Sequence, residues 1–317
     1  MKKVIKINFT DFWKGFDKEN NYFVKLLSQQ YEVRISDEPD VIIYSCYGYE
    51  YLKYKCIRVC FISENQRPDF SGCDYALSFD INNDPRHYRL PLYRLYIDLW
   101  GQDLDALSRK RREEIREEWK AKKKFCCMLV SNGKSKKRID FFHKLSRVKQ
   151  VDSGGRYLNN IGRSVDNKLE FIKDYKFVFA FENSSHPGYV TEKIIEPCFV
   201  GSIPIYWGNK EIERDFNPRR FINYHDFKSE EELIQRIMEI DGDDELAMEI
   251  ISQPIFRDNV LPERIRDEHV LAFFRRIIEN KKATPVAVSG KKSLHFLKRK
   301  SHQLRERLFS RLGITFR

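Results

Sequence analysis

Short apolar runs that alternate with helical stretches constrain the fold of this 317-residue chain more than any other feature. Before residue 64, four runs of five or six residues have the composition of buried strands, with a helical segment between the first two. The strand candidates are Val4–Asn8, Tyr31–Ile35, Val41–Ser45 and Arg58–Ser63, and the helical segment is Tyr22–Gln29. This alternation predicts an α/β domain.

The same pattern begins again at Phe125. The predicted strands are Phe125–Val130, Val148–Asp152, Phe177–Phe181, Ile203–Trp207 and Phe221–Asn223. The predicted helices are Ile139–Leu145, Thr191–Val200 and Glu230–Ile240. Two α/β halves favour two Rossmann-like domains with a cleft between them, and ligands of such sheets bind beyond the carboxyl ends of the strands.

The segment that joins the two halves, 104–124, is rich in Arg, Lys and Glu and contains no Pro or Gly. Acid–base pairs at helical spacing predict an exposed connecting helix. We therefore expect an N-terminal domain over 1–118, a C-terminal domain over 119–285 and a separate tail over 286–317.

The formal net charge of +11 raises the question of nucleic-acid binding. Nine basic residues and one acid between Lys291 and Arg317 give a net charge of +8, and Arg109–Lys124 contributes a further +5. The rest of the chain has a net charge of −2. A nucleic-acid-binding domain usually carries its basic patch on the folded face, so this distribution disfavours that class. Nucleic-acid binding by the tail stays as the alternative.

The basic tail has the pattern of an amphipathic helix. Its leucines fall on one face at about 100° per residue, and basic residues surround them. These leucines are Leu294, Leu297, Leu304, Leu308 and Leu312. Because basic amphipathic helices are typical of membrane surfaces, we expect residues 291–317 to bind an anionic membrane. Docking on the body of the chain or on a second subunit, as in a homodimer, is the alternative.

Other signals bear on cellular location. No run of about 18 apolar residues predicts a transmembrane helix, and the amino terminus has the pattern of a strand, not of a signal peptide. The seven cysteines form no paired CxxC units, which disfavours a zinc site. Buried, reduced thiols in a cytosolic protein are the simplest interpretation.

The segment Tyr175–Phe227 carries the most chemical information. A predicted strand ends at Phe181, and Thr191-Glu-Lys193 then opens an apolar helix. A helix amino terminus capped by Thr191 offers free N–H groups and a positive dipole end, which suit a diphosphate. Lys193 adds a full charge, and Glu192 can accept hydrogen bonds from ribose hydroxyls. A capped helix with solvated charges is the alternative.

Five short motifs follow one another in this segment. They are Phe181-Glu-Asn-Ser184, Tyr189-Val-Thr-Glu-Lys193, Ile203-Pro-Ile-Tyr-Trp-Gly208, Asp215-Phe-Asn-Pro218 and His225-Asp-Phe227. In content and order they resemble the signature of the α1,3-fucosyltransferases of glycosyltransferase family 10, especially the bacterial members. The similarity extends over about residues 2–280 and is weaker before Arg58.

The resemblance implies a GT-B fold, in which two Rossmann-like domains face each other. It also implies an inverting transfer of L-fucose from GDP-β-L-fucose to the GlcNAc of an N-acetyllactosamine-type glycan, with a Lewis x-type product. The donor binds to the C-terminal domain and the acceptor mainly to the N-terminal domain in this family. A different nucleotide sugar, a different acceptor or α1,3/4 specificity is the alternative within the enzymes.

Inversion by a single displacement requires a general base for the acceptor hydroxyl. The resemblance places Glu64 in that role, in a turn after a predicted strand. Bacterial relatives often carry a second acid two positions further on, where this chain has Gln66. In the same half, Trp13 with Phe12 and Phe16 is a candidate acceptor platform, and core packing is the alternative.

The resemblance assigns five residues to the donor. They are Arg138, Asn183, Tyr189, Glu192 and Lys193. Arg138 and Lys193 would stabilise the leaving GDP, and Tyr189 would line the guanine or sugar face, with core packing as the alternative. We assign His186 no catalytic role and interpret His225 as structural.

No metal ligand is predicted. Asp103-Leu-Asp105 and Asp241-Gly-Asp243 have the DxD spacing, but we interpret them as solvated acids or helix caps. We therefore expect no cofactor beyond the donor. The expected setting is the cytoplasm, on the inner face of the cytoplasmic membrane, with an oligosaccharide or lipid-linked glycan such as lipopolysaccharide as the acceptor.

Overall fold

The computed structural model describes residues 2–103, 112–131, 133, 135–280, 284–288 and 301. The described residues form two compact units. The first takes those of Met1–Leu90 and Arg264–Arg317, and the second takes those of Pro91–Glu263.

Each unit is built on a parallel sheet. The strands of the first sheet are β1 Lys3–Thr10, β2 Tyr31–Ile35, β3 Val41–Tyr44, β4 Ile57–Phe61, β5 Tyr75–Ser78 and β6 His87–Arg89, in the order β2-β1-β3-β4-β5-β6. Those of the second sheet are β7 Lys124–Met128, β8 Val151–Ser153, β9 Tyr175–Phe181, β10 Ile203–Trp207 and β11 Ile222–Asn223, in the order β11-β10-β9-β7-β8. Every pairing in both sheets is parallel, as the α/β prediction requires.

Helices accompany the strands in both units. The described α-helices are α1 Tyr22–Ser28, α2 Tyr93–Leu99, α3 Arg112–Ala121, α4 Lys136–Val148, α5 Lys168–Ile172, α6 Ile195–Phe199, α7 Glu230–Gly242, α8 Asp244–Ile251 and α9 Asp267–Glu279. Side-chain caps explain several helix starts: Asn21 accepts the N–H groups of Phe23 and Val24 at the start of α1, and Ser229 accepts that of Glu232 in α7.

The sequence-based strand predictions are confirmed to within three residues at each end. Strands of parallel sheets are covered on both faces, so they consist of nearly continuous apolar residues, and β3 is buried along its whole length. The largest shift concerns β8, which begins at Val151 because Val148 still belongs to α4. Strands β5 and β6 were not predicted as strands; they have only four and three residues.

The prediction of an exposed connecting helix over 104–124 is wrong in part. Helix α3 ends at Ala121, Lys124 already belongs to β7, and residues 104–111 lie outside the described residues. The side chain of Trp119 is only 1 % exposed, and its Nε1 donates to Asp244 at 2.8 Å. Helix α3 therefore packs against the rest of the second unit through one apolar face, although most of its residues are charged.

Replacement of Trp119 by Ala is expected to lower the free energy of unfolding by about 3–5 kcal/mol, because it leaves a large cavity against Phe177 and removes the bond to Asp244. Urea denaturation followed by circular dichroism measures this loss. The matched control is Glu117→Ala on the exposed face of the same helix, for which a change within about 0.5 kcal/mol is expected. Equal stability of the two variants would contradict the burial of Trp119.

The compact units divide the chain differently from the predicted boundaries. Helix α9 falls within the predicted domain 119–285 but belongs to the first unit. Its apolar face packs there: Phe274 lies against Phe23 with ring centroids 6.0 Å apart, and Phe273 lies against Tyr88 at 5.1 Å. Sequence periodicity identifies an apolar helix face but not the sheet that covers it.

Candidate functional site

Glu182 organises the carboxyl end of the second sheet. It follows β9 directly, its side chain is fully buried, and its carboxylate accepts the N–H of Thr191 at 2.7 Å and the hydroxyl of Thr191 at 2.8 Å. Its own N–H donates to the carbonyl of Trp207 at 2.8 Å. Gly208 is required beside it, because a Cβ there would lie 2.6 Å from the Glu182 Cγ. Glu182 thus joins the ends of β9 and β10 to the Thr191 segment.

The prediction that Thr191 caps a helix is wrong. The helix begins only at Ile195, as the five-residue α6, and its N-cap Ile194 makes no side-chain hydrogen bond. The N–H and hydroxyl of Thr191 are both bound to Glu182, so the residue serves tertiary structure instead of a helix end. The argument for a diphosphate at that helix terminus therefore fails, and the charged side chains carry the site.

Lys193 lies between two carboxylates. Its Nζ is 3.4 Å from Glu182 Oε2 and 3.3 Å from Glu192 Oε1, and it donates to the Thr191 hydroxyl at 2.9 Å. Burial raises the pKa of Glu182, and the charge of Lys193 opposes that shift. Lys193 is thus a partly exposed cation held by acids at the end of the sheet.

A second lysine, Lys168, lies on the other side of Glu192. Its Nζ is 3.8 Å from Glu192 Oε1 and forms a closer ion pair with the buried Glu196, which also accepts the Trp100 indole N–H at 3.0 Å. Burial raises the pKa of Glu192, but Lys193 and then Lys168 outweigh it and lower the pKa to about 2. Glu192 is therefore ionised at neutral pH.

Sequence reasoning missed three members of this charge cluster. Glu182 and Glu196 stood in the matched segment but were not singled out, and Lys168 lies outside it. An acid within an apolar stretch of sequence is expected to be buried, and a buried acid requires a partner. This expectation was the only signal in the sequence for Glu182, Glu196 and Lys168.

Arg138 lies on α4 beneath the loop that follows β9. Its side chain is only 1 % exposed, and its Nη1 donates to the Phe181 carbonyl at 3.2 Å and to Asn183 Oδ1 at 3.3 Å. Burial lowers the pKa of Arg138, while Glu182 and then Tyr189 oppose that shift. The structure brings Arg138 and Asn183 together, and direct contact of either with a diphosphate stays a prediction.

Tyr189 is 1 % exposed, which favours the packing alternative for its ring. Two histidines of the segment lie close to backbone carbonyl groups. His225 Nε2 lies 3.1 Å from the Gly208 carbonyl, a structural contact, and His186 Nδ1 lies 3.0 Å from the neighbouring Pro187 carbonyl.

In the first unit, Glu64 follows β4 at the carboxyl end of the sheet and is half-buried. The Tyr47 hydroxyl donates to Glu64 Oε1 at 3.1 Å, and Gln66 donates its N–H to the Glu64 carbonyl at 2.6 Å. The Gln66 side chain is exposed. A half-exposed carboxylate in a turn after a strand can accept a proton from a bound hydroxyl group.

A polar network follows the next strand of the same sheet. Asp80 forms an ion pair with Arg67 at 2.9 Å and accepts the Ser78 hydroxyl at 2.9 Å, and Ser78 Oγ lies 2.8 Å from His87 Nε2. Burial lowers the pKa of His87, although Asp80 opposes that shift. Sequence reasoning did not single out these residues as a group.

Trp13 belongs to an aromatic cluster beyond β1. Its ring lies 5.5 Å from that of Phe12 and 5.3 Å from that of Phe16, both edge-on, and all three side chains are half-buried. These contacts fit the core-packing alternative, and a role in acceptor binding stays a prediction.

The interpretation of Asp241 as a solvated acid is wrong. Its side chain is 7 % exposed, and its carboxylate forms ion pairs with Lys149 and Lys176. Asp243 caps α8, as interpreted, by accepting the N–H groups of its second and third residues. Asp103 is exposed, whereas Asp105 lies outside the described residues.

The sequence-based expectations on metal ligands, membrane-spanning helices, cysteines and the tail can be compared only with the described residues. In that part of the chain, no group of three or more His, Cys, Asp or Glu side chains could hold a metal ion, and no helix is long and apolar enough to cross a membrane. All seven cysteines are free and five of them are buried. Of the tail 286–317, only 286–288 and 301 are described, so its predicted helix lies outside the described residues.

Two family models match the chain. "Alpha-(1,3)-fucosyltransferase FucT N-terminal domain" matches residues 7–96, and "Glycosyltransferase family 10 (fucosyltransferase) C-term" matches residues 119–251. The alpha-(1,3)-fucosyltransferase FucT of Helicobacter pylori is 31 % identical over 87 % of this chain. A putative fucosyltransferase of Acanthamoeba polyphaga mimivirus is 40 % identical over 43 %. The chain spans 66 % of the first relative's length and 25 % of the second's.

A crystal structure of an α1,3-fucosyltransferase with GDP-fucose superposes with a TM-score of 0.72 and 27 % identity, over 90 % of this chain and 93 % of that one. The predicted GT-B fold class is thereby confirmed. Both halves of the chain match models of one family, and the motifs around Glu182, Glu192 and Lys193 fall inside the second match. This chain belongs to glycosyltransferase family 10, the fucosyltransferases.

Proposed function

We propose that this chain is an inverting α1,3-fucosyltransferase. It transfers L-fucose from GDP-β-L-fucose to the GlcNAc of an N-acetyllactosamine-type glycan and forms a Lewis x-type product. The observation that carries the proposal is the charge cluster of Lys193, Glu192 and Glu182 at the carboxyl end of the second sheet, where α/β sheets bind their ligands. Two similarities support it: the Helicobacter pylori relative is an alpha-(1,3)-fucosyltransferase, and the similar crystal structure is that of an α1,3-fucosyltransferase with GDP-fucose.

In the proposed reaction, the Glu64 carboxylate takes the proton of the acceptor hydroxyl while that oxygen attacks the anomeric carbon of fucose. The bond from this carbon to the GDP oxygen breaks on the opposite face, which inverts the configuration. Lys193 and Arg138 stabilise the negative charge of the leaving GDP, and each such contact contributes about 1.5–3 kcal/mol. Glu192 holds the ribose hydroxyls, and Asn183 lines the rest of the donor site.

A GDP-release assay tests the proposed function. GDP-fucose is supplied with N-acetyllactosamine or with its β1,3-linked isomer, and NMR determines the linkage of the product. Transfer to the GlcNAc O3 of lactosamine is expected. Turnover with another nucleotide sugar but not with GDP-fucose would overturn the donor, and a fucose on O4 of the isomer alone would overturn the linkage. Because we propose that no metal is essential, most activity should persist in EDTA.

The basic tail is proposed to hold the enzyme on the inner face of the cytoplasmic membrane, near lipid-linked acceptors. Removal of residues 291–317 is expected to leave transfer to soluble lactosamine within about threefold and to abolish sedimentation with vesicles that contain anionic lipid. Vesicles of neutral lipid are the control. Retention of vesicle binding by the shortened chain would contradict this proposal, and loss of RNA or DNA binding instead would favour the nucleic-acid alternative.

A further inference from the structure

A chain of hydroxyl groups runs from the interior of the first unit to Glu64. The Ser45 and Ser63 hydroxyls, both buried, lie 3.3 Å apart. Ser63 donates to the Tyr47 hydroxyl oxygen at 3.4 Å, and Tyr47 donates to Glu64 Oε1 at 3.1 Å. Because the Tyr47 oxygen accepts from Ser63, its own hydrogen is directed toward the carboxylate.

The loop that carries Tyr47 is tied to the end of β1 by Asp11. The Tyr47 N–H donates to the Asp11 carbonyl at 3.0 Å, and the Asp11 carboxylate accepts the N–H groups of Glu50 and Tyr51, both at 2.9 Å. Asp11 has a φ of 59°, which is uncommon for a non-glycine residue. At Gly48, a Cβ would lie 2.2 Å from Asp11 Oδ1, so the loop closes only over glycine.

We propose that Tyr47 is a positioning residue for the general base: its hydroxyl holds one oxygen of Glu64 and leaves the other oxygen for the acceptor hydroxyl. The proposal rests on the proposed function, because it assumes that Glu64 is the base. Core packing does not explain why Tyr47 is held in place, because it is 48 % exposed. Its backbone N–H and its hydroxyl nevertheless both form hydrogen bonds.

The hydrogen bond has a defined chemical consequence. A donor to a carboxylate stabilises its charged form, and the charged form is the one that can take a proton from the acceptor. Loss of the Tyr47 hydroxyl removes this donor from Glu64 Oε1. Loss of hydration raises the pKa of Tyr47, and the Glu64 carboxylate raises it further, so Tyr47 stays a donor across the assay range. Cys46 Sγ lies 3.5 Å from the Ser63 hydroxyl of this chain of groups, and Arg67, three residues after Glu64, forms an ion pair with Asp80 at 2.9 Å.

The test is the pH dependence of kcat/KM in Tyr47→Phe, which keeps the ring and loses only the hydroxyl. Activity requires the deprotonated base, so kcat/KM rises with pH on the acid side of the profile, and we call this rising part the acid limb. In Tyr47→Phe we expect the midpoint of this acid limb to lie about one pH unit higher than in the wild type. At a pH below the midpoint, kcat/KM should be about tenfold lower than in the wild type, and at high pH it should be largely restored. Ser63→Ala, which removes only the group that orients the Tyr47 hydroxyl, is expected to shift the limb in the same direction by less.

The matched control is Tyr54→Phe, which deletes a hydroxyl in the same unit and should leave the limb in place. If the acid limb of Tyr47→Phe coincides with that of the wild type, the proposal is overturned, whatever the value of kcat/KM at the high-pH plateau. A merely structural role would lower the plateau without moving the limb. The Glu64→Gln variant separates the two levels. If it turns over normally, the base assignment itself is wrong. If it is inactive and the Tyr47→Phe limb is unmoved, only the role of Tyr47 is wrong.

Discussion

Glu64→Gln is expected to reduce kcat by about 10²–10⁴-fold while the affinity for GDP-fucose stays within about twofold. The amide keeps the size of the side chain and can still accept the Tyr47 hydrogen bond, but it cannot take a proton from the acceptor. The donor residues lie in the other compact unit, on a different sheet, so their hydrogen bonds and ion pairs are untouched. Single-turnover fucose transfer and calorimetric titration with GDP-fucose measure the two quantities separately.

Glu38→Gln provides the matched control, since Glu38 is an exposed acid in the same unit. Normal turnover is expected from it. If Glu64→Gln retained more than about a tenth of the wild-type kcat, Glu64 would not be the general base. A Gln66→Glu change in the Glu64→Gln background then examines the neighbouring position at which bacterial relatives often carry an acid, and recovery there would move the base by two residues.

The strands could be predicted from the sequence because burial on both faces leaves a continuous apolar signal. Strands β3 and β9 are examples, and the turn with Glu64 and the loop with Asn183 follow the ends of strands β4 and β9. The motifs around Lys193 carried the remaining information on the site. Both kinds of signal are local in the sequence, which is why they could be recognised in a single chain.

The missed features depend on contacts between distant segments. A buried carboxylate nine positions earlier binds the N–H and hydroxyl of Thr191, and this tertiary interaction overrides the tendency of Thr to cap a helix. Tyr47 meets Glu64 only because β3 and β4 are neighbours in the sheet. Trp119 is a single aromatic residue among charges, so its helix appeared exposed until the partners Phe177 and Asp244 were known.

Lys193→Met is expected to weaken GDP binding by about 10- to 100-fold, which corresponds to loss of a charge-assisted contact of about 1.5–3 kcal/mol. The second cause is electrostatic. Lys193 lies 3.4 Å from Glu182 and 3.3 Å from Glu192, so its removal leaves two carboxylates that repel the diphosphate. Lys193 contacts both acids, whereas Lys168 lies 3.8 Å from Glu192. Met has a volume similar to that of Lys but carries no charge.

The sign of the pH dependence follows from the same geometry. Lys193 is the largest of the influences that hold the pKa of Glu192 at about 2 against the effect of burial, so the pKa of Glu192 rises in Lys193→Met. Protonation of the acid as the pH falls removes a negative charge, and the affinity deficit relative to wild type should therefore shrink toward low pH and be largest at neutral pH. Calorimetric titration with GDP at several pH values measures this trend. Lys228→Met, at an exposed lysine of the same unit, is the control. A GDP affinity within twofold of wild type, or a deficit independent of pH, would contradict a role for Lys193 as the cation between the acids and the diphosphate.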